Sequence, residues 1–179
     1  SEFYTFLIYV TPVGSYFKSG LKSLNTIVTD KYHRVATKSI GFAKAVGNYA
    51  GTLLPYKEIV EDGYDEIIFL NASNENIIDE ARSANIFVLK GNVLKTPMLQ
   101  GSILPGITRD SVIKVASKIF NLDVREEDVS LDELMNADEV FFTGTAAVIA
   151  PVGRIVYKKN ETRLKISFEE SMTRKIRER

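Results

Sequence analysis

Four segments of the chain, in a fixed order, carry residue types that together can do chemistry on a bound cofactor. Lys44 opens the stretch 44–49, Glu80 follows it, and two glycine-containing segments, 106–108 and 144–146, come later. Each has an ordinary explanation when taken alone, because a lone lysine is usually a surface charge and a Gly-Thr pair is usually a turn. In combination they supply an amine, a carboxylate and two groups of hydrogen-bond donors, which suit a covalently held, phosphorylated cofactor.

These groups match the requirements of pyridoxal phosphate. That cofactor needs an amine for its aldehyde, a carboxylate opposite its ring nitrogen, a donor beside its phenolic oxygen and amides around its phosphate. Lys44 precedes a predicted helix, supplies the amine and could then move the α-proton of a substrate. Glu80 would keep the ring nitrogen protonated, and Tyr49, just over one helical turn beyond Lys44, would donate to the phenolic oxygen.

The phosphate is expected at the start of a second predicted helix. Residues 104–108 lead directly into that helix, so the amides of Ile107 and Thr108 lie where free donors and the helix dipole favour an anion. Residues 143–146, at the end of a predicted strand, add a further hydroxyl and more amides. The alternatives are an ordinary N-cap at Thr108 and a tight turn at Gly144.

The elements that would position these residues follow from hydrophobic periodicity. Strands are predicted at residues 3–10, 24–28, 66–70, 76–78, 85–89, 93–95, 139–143 and 148–157. Helices are predicted at 47–61, where Pro55 should kink or restart the helix, at 109–120, at 131–136 and at 169–179. The turn at 90–92 predicts a hairpin. We therefore expect one mixed α/β domain, residues 1–179, whose central part is mainly antiparallel sheet.

The composition excludes several other kinds of chemistry. The 179 residues include no cysteine and one histidine, His33, which removes disulfides and thiolate metal sites and argues against a zinc site or a Ser-His-Asp triad. The formal net charge is zero, so nothing predicts binding to nucleic acid or to an anionic membrane. No apolar stretch is long enough to span a bilayer. We expect a soluble intracellular protein without a metal, in the cytoplasm or in an organelle.

Longer motifs around the same residues point to a family. They are Phe42–Tyr49, Asn85–Phe87, Ile103–Arg109 and Ala137–Ala146. They closely resemble the branched-chain amino acid aminotransferases, which are class IV (fold type IV) pyridoxal-phosphate enzymes, and residues 10–17 and 151–153 resemble the eukaryote-like branch. The resemblance implies a sheet-rich pseudo-barrel with flanking helices, a homodimer, and transfer of the amino group of leucine, isoleucine or valine to 2-oxoglutarate.

The resemblance also gives individual residues a role. It implies that Lys44 bonds to the cofactor, that Tyr49 contacts the phenolic oxygen and that Glu80 contacts the ring nitrogen. It implies four residues near the phosphate: Ile107, Thr108, Thr145 and Arg34. The amides of Thr145 and Ala146 would also face the carboxylate of the amino acid or 2-oxo acid substrate.

The chain departs from the family in three places. Family members have a smaller N-terminal domain that supplies a phosphate-binding arginine and much of the apolar substrate pocket, and nothing here corresponds to it. We therefore expect residues 1–179 to be the C-terminal, cofactor-binding domain of a two-domain enzyme, and a fragment that is inactive alone. The glycine-rich approach to the lysine is replaced by Thr37–Gly41, and a pair of redox cysteines by Ala147 and Ala150.

Three alternatives stay open on the sequence. A D-amino acid aminotransferase and an aminodeoxychorismate lyase share the fold and differ in the substrate that turns the cofactor over. A non-catalytic domain that depends on a missing region is the third alternative. The long match at residues 138–146 favours the branched-chain enzyme.

Overall fold

One sheet forms the framework of the structure. The computed structural model describes residues 2–12, 22–165 and 167–179. The strands in these residues are β1 (Leu24–Thr29), β2 (Glu66–Asn71), β3 (Asn74–Ala81), β4 (Asn85–Lys90), β5 (Val93–Thr96), β6 (Asp123–Glu126), β7 (Glu139–Gly144), β8 (Val148–Tyr157) and β9 (Asn160–Arg163). Their order across the sheet is β3-β2-β1-β8-β7-β4-β5-β6, and β9 pairs with β8.

The strand pairs are mainly antiparallel, as predicted. β1 runs parallel to β2 and β8, and β5 runs parallel to β6. The pairs β2–β3, β4–β5, β4–β7, β7–β8 and β8–β9 are antiparallel. The predicted hairpin is confirmed between β4 and β5, where Lys90 pairs with Val93 and Gly91 has a φ of 57°, a conformation that glycine adopts readily.

Short helices flank this sheet. In the described part of the chain they are α1 (Gly47–Ala50), α2 (Leu53–Glu61), α3 (Ile107–Lys118), α4 (Leu131–Met135) and α5 (Met172–Arg177), with a 3₁₀ turn at Phe168–Glu170. α4 begins with a complete capping box between Ser130 and Glu133. None of these helices has the length and apolarity needed to cross a membrane.

Two predicted helices have different boundaries in the structure. The segment 47–61 forms two helices with a break at residues 51–52, so the helix restarts at Leu53, two residues before Pro55, and is not kinked there. Pro55 lies in the first turn of α2, where its missing N–H removes no helical hydrogen bond. The terminal helix begins at Met172 because Ser171 is extended and its hydroxyl accepts a bond from the amide of Arg174.

Among the predicted strands that form, β3 differs most from its predicted bounds. The prediction covered residues 76–78 only, whereas the strand continues to Ala81 and so includes Asp79 and Glu80. Both carboxylates are buried, which is rare for acidic residues unless they are paired. The short edge strands β6 and β9 were not predicted, since their sequences are mostly polar.

The predicted strand at residues 3–10 is not formed. These residues adopt no regular structure, and the large apolar side chains among them are 76–90% exposed. A strand needs a neighbour to bond its backbone, and the described part of the chain places none beside this segment. Residues 13–17, which belong to the motif at 10–17, lie outside the described residues.

Three clusters of buried apolar side chains attach the helices to the sheet. Leu134 of α4 packs into the largest cluster, which contains residues of β1, β2, β3, β4, β7 and β8. In the second, Phe87 and Phe141 stack with their ring centroids 5.1 Å apart, and residues of α3 and α5 pack around them. Phe69 of β2 and Ile59 of α2 belong to the third. The expected mixed α/β architecture with flanking helices is confirmed.

Candidate active site

Most of the predicted site residues line one cavity. Its volume is about 230 Å³. Seven predicted residues lie in its wall: Arg34, Lys44, Tyr49, Glu80, Ile107, Thr108 and Thr145. They come from the segment between β1 and α1, from α1, from β3, from the start of α3 and from the turn between β7 and β8. Ala146 does not line the cavity and is exposed.

Glu80 contributes a buried carboxylate whose two oxygens are both bonded. Oε1 lies 2.5 Å from Nη2 of Arg34 and accepts a bond from the amide of Leu104 at 3.2 Å. Oε2 accepts a bond from Nδ2 of Asn85 at 2.9 Å. Burial raises the pKa of Glu80 to about 8, and the charge of Arg34 opposes that rise. A further cation in the cavity would favour the carboxylate form.

Arg34 is the ionic partner of Glu80. It is buried, and its Nη2 also donates to the carbonyl oxygen of Ser102, whose hydroxyl bonds to Asp79 at 3.0 Å. The family resemblance implies a position near a phosphate for this arginine. In the structure, Nη2 forms an ion pair with Glu80, the carboxylate that was predicted to contact the ring nitrogen.

A tightly bonded loop holds Lys44 at the cavity. Asn48 of α1 is buried and donates to the carbonyls of Ile40 and Ala43 at 2.8 and 2.9 Å. A Cβ at Gly41 would lie 2.1 Å from a neighbouring carbonyl oxygen, so only glycine fits there. The ammonium of Lys44 forms no ion pair with any residue that the structure describes, which leaves it available to a ligand.

The start of α3 forms another wall of the cavity. Its N-cap is Gly106, and no side chain caps it, so the prediction of Thr108 as the N-cap is wrong. Thr108 lies in the first turn, where its amide and that of Ile107 have no helical partner. A Cβ at Gly106 would lie 2.3 Å from Oδ1 of Asn85, the residue that also binds Glu80. The free amides and the carboxylate site are therefore joined through one asparagine.

A comparison with known families assigns the chain to one of them. The model of the family described as amino-transferase class IV matches residues 1–155. The chain belongs to the class IV aminotransferases. The matched range includes every residue that was predicted for the site.

Individual members of this family are also similar over most of the chain. Branched-chain amino acid aminotransferase 2, chloroplastic, of Humulus lupulus is 48% identical over 154 residues, which are 86% of this chain and 38% of that protein. The crystal structure of the Escherichia coli branched-chain enzyme gives a TM-score of 0.79 at 35% identity and covers 94% of this chain and 54% of that chain.

A second crystal structure, of the Thermobaculum terrenum branched-chain enzyme in its PLP-bound form, gives a TM-score of 0.77 at 30% identity. It covers 88% of this chain and 49% of that chain. This class IV aminotransferase chain therefore spans about half the length of the two bacterial enzymes. It spans 38% of the enzyme from Humulus lupulus, the hop plant. Its half-barrel sheet with flanking helices matches the large-domain structures of the family.

Two buried polar atoms in the cavity wall lack a partner. Nε of Arg34 and Oγ1 of Thr143 form no hydrogen bond with any described residue, and both residues line the cavity. Buried polar atoms are normally bonded, so each such atom requires an explanation. With the amine of Lys44 and the free amides of α3, they make this aminotransferase cavity suitable for an anionic, polar ligand.

Two polar residues of the site were missed from the sequence, and a third, Thr143, belonged to the segment 143–146 but was given no role of its own. Asn85 orients Glu80, Asn48 holds the loop of Lys44, and Thr143 lines the cavity. All three lie inside the motifs that carried the family resemblance. The available signal was a polar residue next to apolar neighbours, as in Thr143 after Val140–Phe142.

Proposed function

We propose that the chain is the cofactor-binding domain of a pyridoxal-phosphate-dependent aminotransferase that transfers the amino group of leucine, isoleucine or valine to 2-oxoglutarate. The observation that carries the proposal is the cavity in which the amine of Lys44, the carboxylate of Glu80 and the free start of α3 meet. The substrate class comes from the names of similar enzymes, and 48% identity to the hop enzyme supports extending it to this chain.

Lys44 has two tasks in this proposal. Pyridoxal phosphate, when bound, supplies an electron-accepting ring that stabilises negative charge at the α-carbon of the substrate. The amine of Lys44 would hold the cofactor through its aldehyde carbon, and displacement by the substrate amine would free it. The free amine would then carry the proton from the substrate α-carbon to that cofactor carbon, and in the opposite direction in the second half-reaction. Its lack of an ionic partner among the described residues suits both tasks.

Glu80 holds a proton at the ring nitrogen. Its pKa of about 8 indicates that the buried carboxylate charge is incompletely compensated by Arg34 alone. A protonated ring nitrogen beside it would supply the missing positive charge and return Glu80 to its carboxylate form. Tyr49, which also lines the cavity, donates to the phenolic oxygen.

The phosphate binds at the start of α3. The free amides of Ile107 and Thr108, and the hydroxyl of Thr145, are the donors that we assign to it. We keep Arg34 as a cofactor contact through its unpartnered Nε. The amides of Thr145 and Ala146 bind the substrate carboxylate at the edge of the cavity.

We further propose that a second, N-terminal domain and a second subunit complete the enzyme. The chain spans only 38% of the hop protein. Four large apolar side chains in the segment around Lys44 and at the start of α3 are 51–85% exposed: Ile40, Phe42, Val46 and Ile107. A covering domain would bury them and form an apolar pocket for a branched side chain. We propose an intracellular location, in the cytoplasm or in an organelle.

The two other activities of the fold use the same cavity. A D-amino acid aminotransferase or an aminodeoxychorismate lyase would need the same amine and carboxylate, so Lys44 and Glu80 do not separate them. The names of the similar enzymes favour the branched-chain substrate. Separate additions of L-leucine, D-alanine and aminodeoxychorismate to the complete cofactor-loaded enzyme, with the N-terminal domain proposed above, distinguish the three, because only the true substrate changes the cofactor's absorption.

Cofactor binding is tested with pyridoxal phosphate and the chain itself. We expect a visible absorption band that Lys44→Ala abolishes, because the band requires the bond between that amine and the cofactor. Lys57→Ala is the matched control, since Lys57 is an exposed lysine on α2. Borohydride reduction followed by peptide mass spectrometry locates the modified lysine. A band of equal strength in Lys44→Ala contradicts the assignment, and no band in the parent chain favours the non-catalytic alternative.

A further inference from the structure

Thr143 contains a buried hydroxyl that the described protein atoms leave unsatisfied. The residue is 1% exposed and lies near the end of β7. Its Oγ1 has no hydrogen-bond partner among the described residues. A buried hydroxyl without a partner destabilises the fold, so a threonine at this position needs another reason.

The position of Thr143 indicates what its hydroxyl meets. On one side, Thr143 pairs in register with Asn85 of β4, which places their side chains on the same face of the sheet. The Oδ1 of Asn85 lies against Gly106, the N-cap of α3. On the other side, the chain continues into Gly144 and Thr145, and all these residues line the cavity. Thr143 therefore lies by the wall where the free amides of α3 begin.

A phosphate accounts for the hydroxyl better than the ring nitrogen does. The Nδ2 of Asn85 and both oxygens of Glu80 are already bonded. The amides of the first turn of α3 have no helical partner and favour an anion. A phosphate has several acceptor oxygens, so it can take a hydroxyl donor in addition to the amides.

We propose that the hydroxyl of Thr143 donates a hydrogen bond to the phosphate of the bound cofactor and is a further phosphate-binding residue of this site. The inference rests on the proposed function. Under this proposal, the hydroxyl lowers the stability of the cofactor-free chain and strengthens the binding of the cofactor.

The test compares Thr143→Val, which replaces the hydroxyl by a methyl group of similar size, with Thr143→Ser, which keeps it. Without cofactor, Thr143→Val should raise the thermal midpoint of unfolding by about 3 °C. The same variant should bind pyridoxal phosphate roughly tenfold more weakly than the parent. Its affinity for pyridoxal, which lacks the phosphate, should change by less than about twofold. Thr143→Ser should keep the parent affinity for pyridoxal phosphate.

Thr26→Val is the matched control. Thr26 is also fully buried in a strand, but its hydroxyl donates to the carbonyl of Arg154 at 3.0 Å. Its valine variant should therefore lower the thermal midpoint and leave the ratio of the two affinities unchanged. If Thr143→Val lowers the midpoint as Thr26→Val does, the hydroxyl is already satisfied and the inference is overturned.

The affinities separate failure of this inference from failure of the proposed function. If Thr143→Val weakens the binding of pyridoxal phosphate and of pyridoxal equally, the hydroxyl contacts the ring and the phosphate assignment is overturned. If Thr143→Val leaves both affinities unchanged while the absorption band of the parent depends on Lys44, this inference is overturned and the proposed function stands. Absence of that band from the parent overturns the proposed function and this inference with it.

Discussion

Glu66 and Glu80 are buried glutamates on the adjacent antiparallel strands β2 and β3, and each lies beside an arginine, but only Glu80 lines the cavity. Glu80 is 2.5 Å from Arg34 and accepts bonds from two further groups. The Oε1 of Glu66 is 3.7 Å from Nε of Arg82. Glu66 also accepts a bond from the amide of Ile67 at 3.0 Å. The two carboxylates are therefore similarly buried and both hydrogen-bonded, and they differ in the distance to their arginine and in access to the cavity.

Burial changes both acids in the same direction. It raises the pKa of Glu66 to about 7 and that of Glu80 to about 8. Arg82 packs over the ring of Tyr56, 3.9 Å from its centroid, and is 21% exposed, whereas Arg34 is 3% exposed. A raised pKa by itself thus does not mark a binding site. The carboxylate that several groups orient toward a cavity is the better candidate.

The largest difference between the pairs Arg34–Glu80 and Arg82–Glu66 should appear in the free energy of unfolding when each arginine is replaced by alanine. Arg34→Ala leaves Glu80 buried without its cation, so we expect a loss of about 3 kcal/mol in the free energy of unfolding at pH 9. The loss should be smaller at pH 5, where Glu80 is protonated. Arg82→Ala removes a longer, partly exposed pair and should cost about 1 kcal/mol. Urea unfolding at both pH values measures this, and equal losses would contradict the distinction.

The pH dependence of stability should sharpen the comparison. Both glutamates have a folded-state pKa above the ordinary value of 4.5, so between these values the folded chain binds protons that the unfolded chain releases. Their stabilising contribution is full below about pH 4.5 and is lost as the pH rises through 7 for Glu66 and 8 for Glu80. We expect a decline of roughly 3 kcal/mol for Glu66 and roughly 5 kcal/mol for Glu80.

Glutamine variants assign this decline to its two sources. Glu66→Gln should remove the part that ends near pH 7, and Glu80→Gln the part that extends to pH 8. Urea unfolding of each variant and of the double variant from pH 5 to pH 9 measures the effect. An unchanged decline in the double variant would show that other groups cause it. Only Glu80→Gln should also weaken the binding of pyridoxal phosphate.

A smaller effect should come from the glycine next to Asn85. Gly106→Ala places a Cβ 2.3 Å from Oδ1 of Asn85, which must move and disturb its bond to Glu80. We expect a loss of about 1–2 kcal/mol in the free energy of unfolding and weaker cofactor binding. Gly47→Ala is the control, because its Cβ would meet no atom within 4 Å. Similar behaviour of the two variants in thermal unfolding and cofactor titration would contradict the proposed contact.

Local patterns in the sequence predicted the elements that pack against a regular neighbour. The strands β4, β7 and β8 and the helix α3 have apolar periodicity that matches their buried faces, so their positions were predicted to within a few residues. The same rule failed at residues 3–10, where an apolar pattern has no neighbouring strand within the described residues. It also failed at the end of β3, because tertiary hydrogen bonds make burial of Asp79 and Glu80 possible.

The sequence by itself determined which residue types are available for the site and their order: Lys44 before a helix, then Glu80, then the glycine-containing segments near the start of α3 and the end of β7. Only the tertiary structure decided their partners. Arg34 pairs with a carboxylate 46 positions away, and the hydroxyl of Thr143 is left without a partner among the described residues. Periodicity reports which face of an element is buried, whereas pairing and burial of polar atoms depend on contacts between distant segments, which no local pattern encodes.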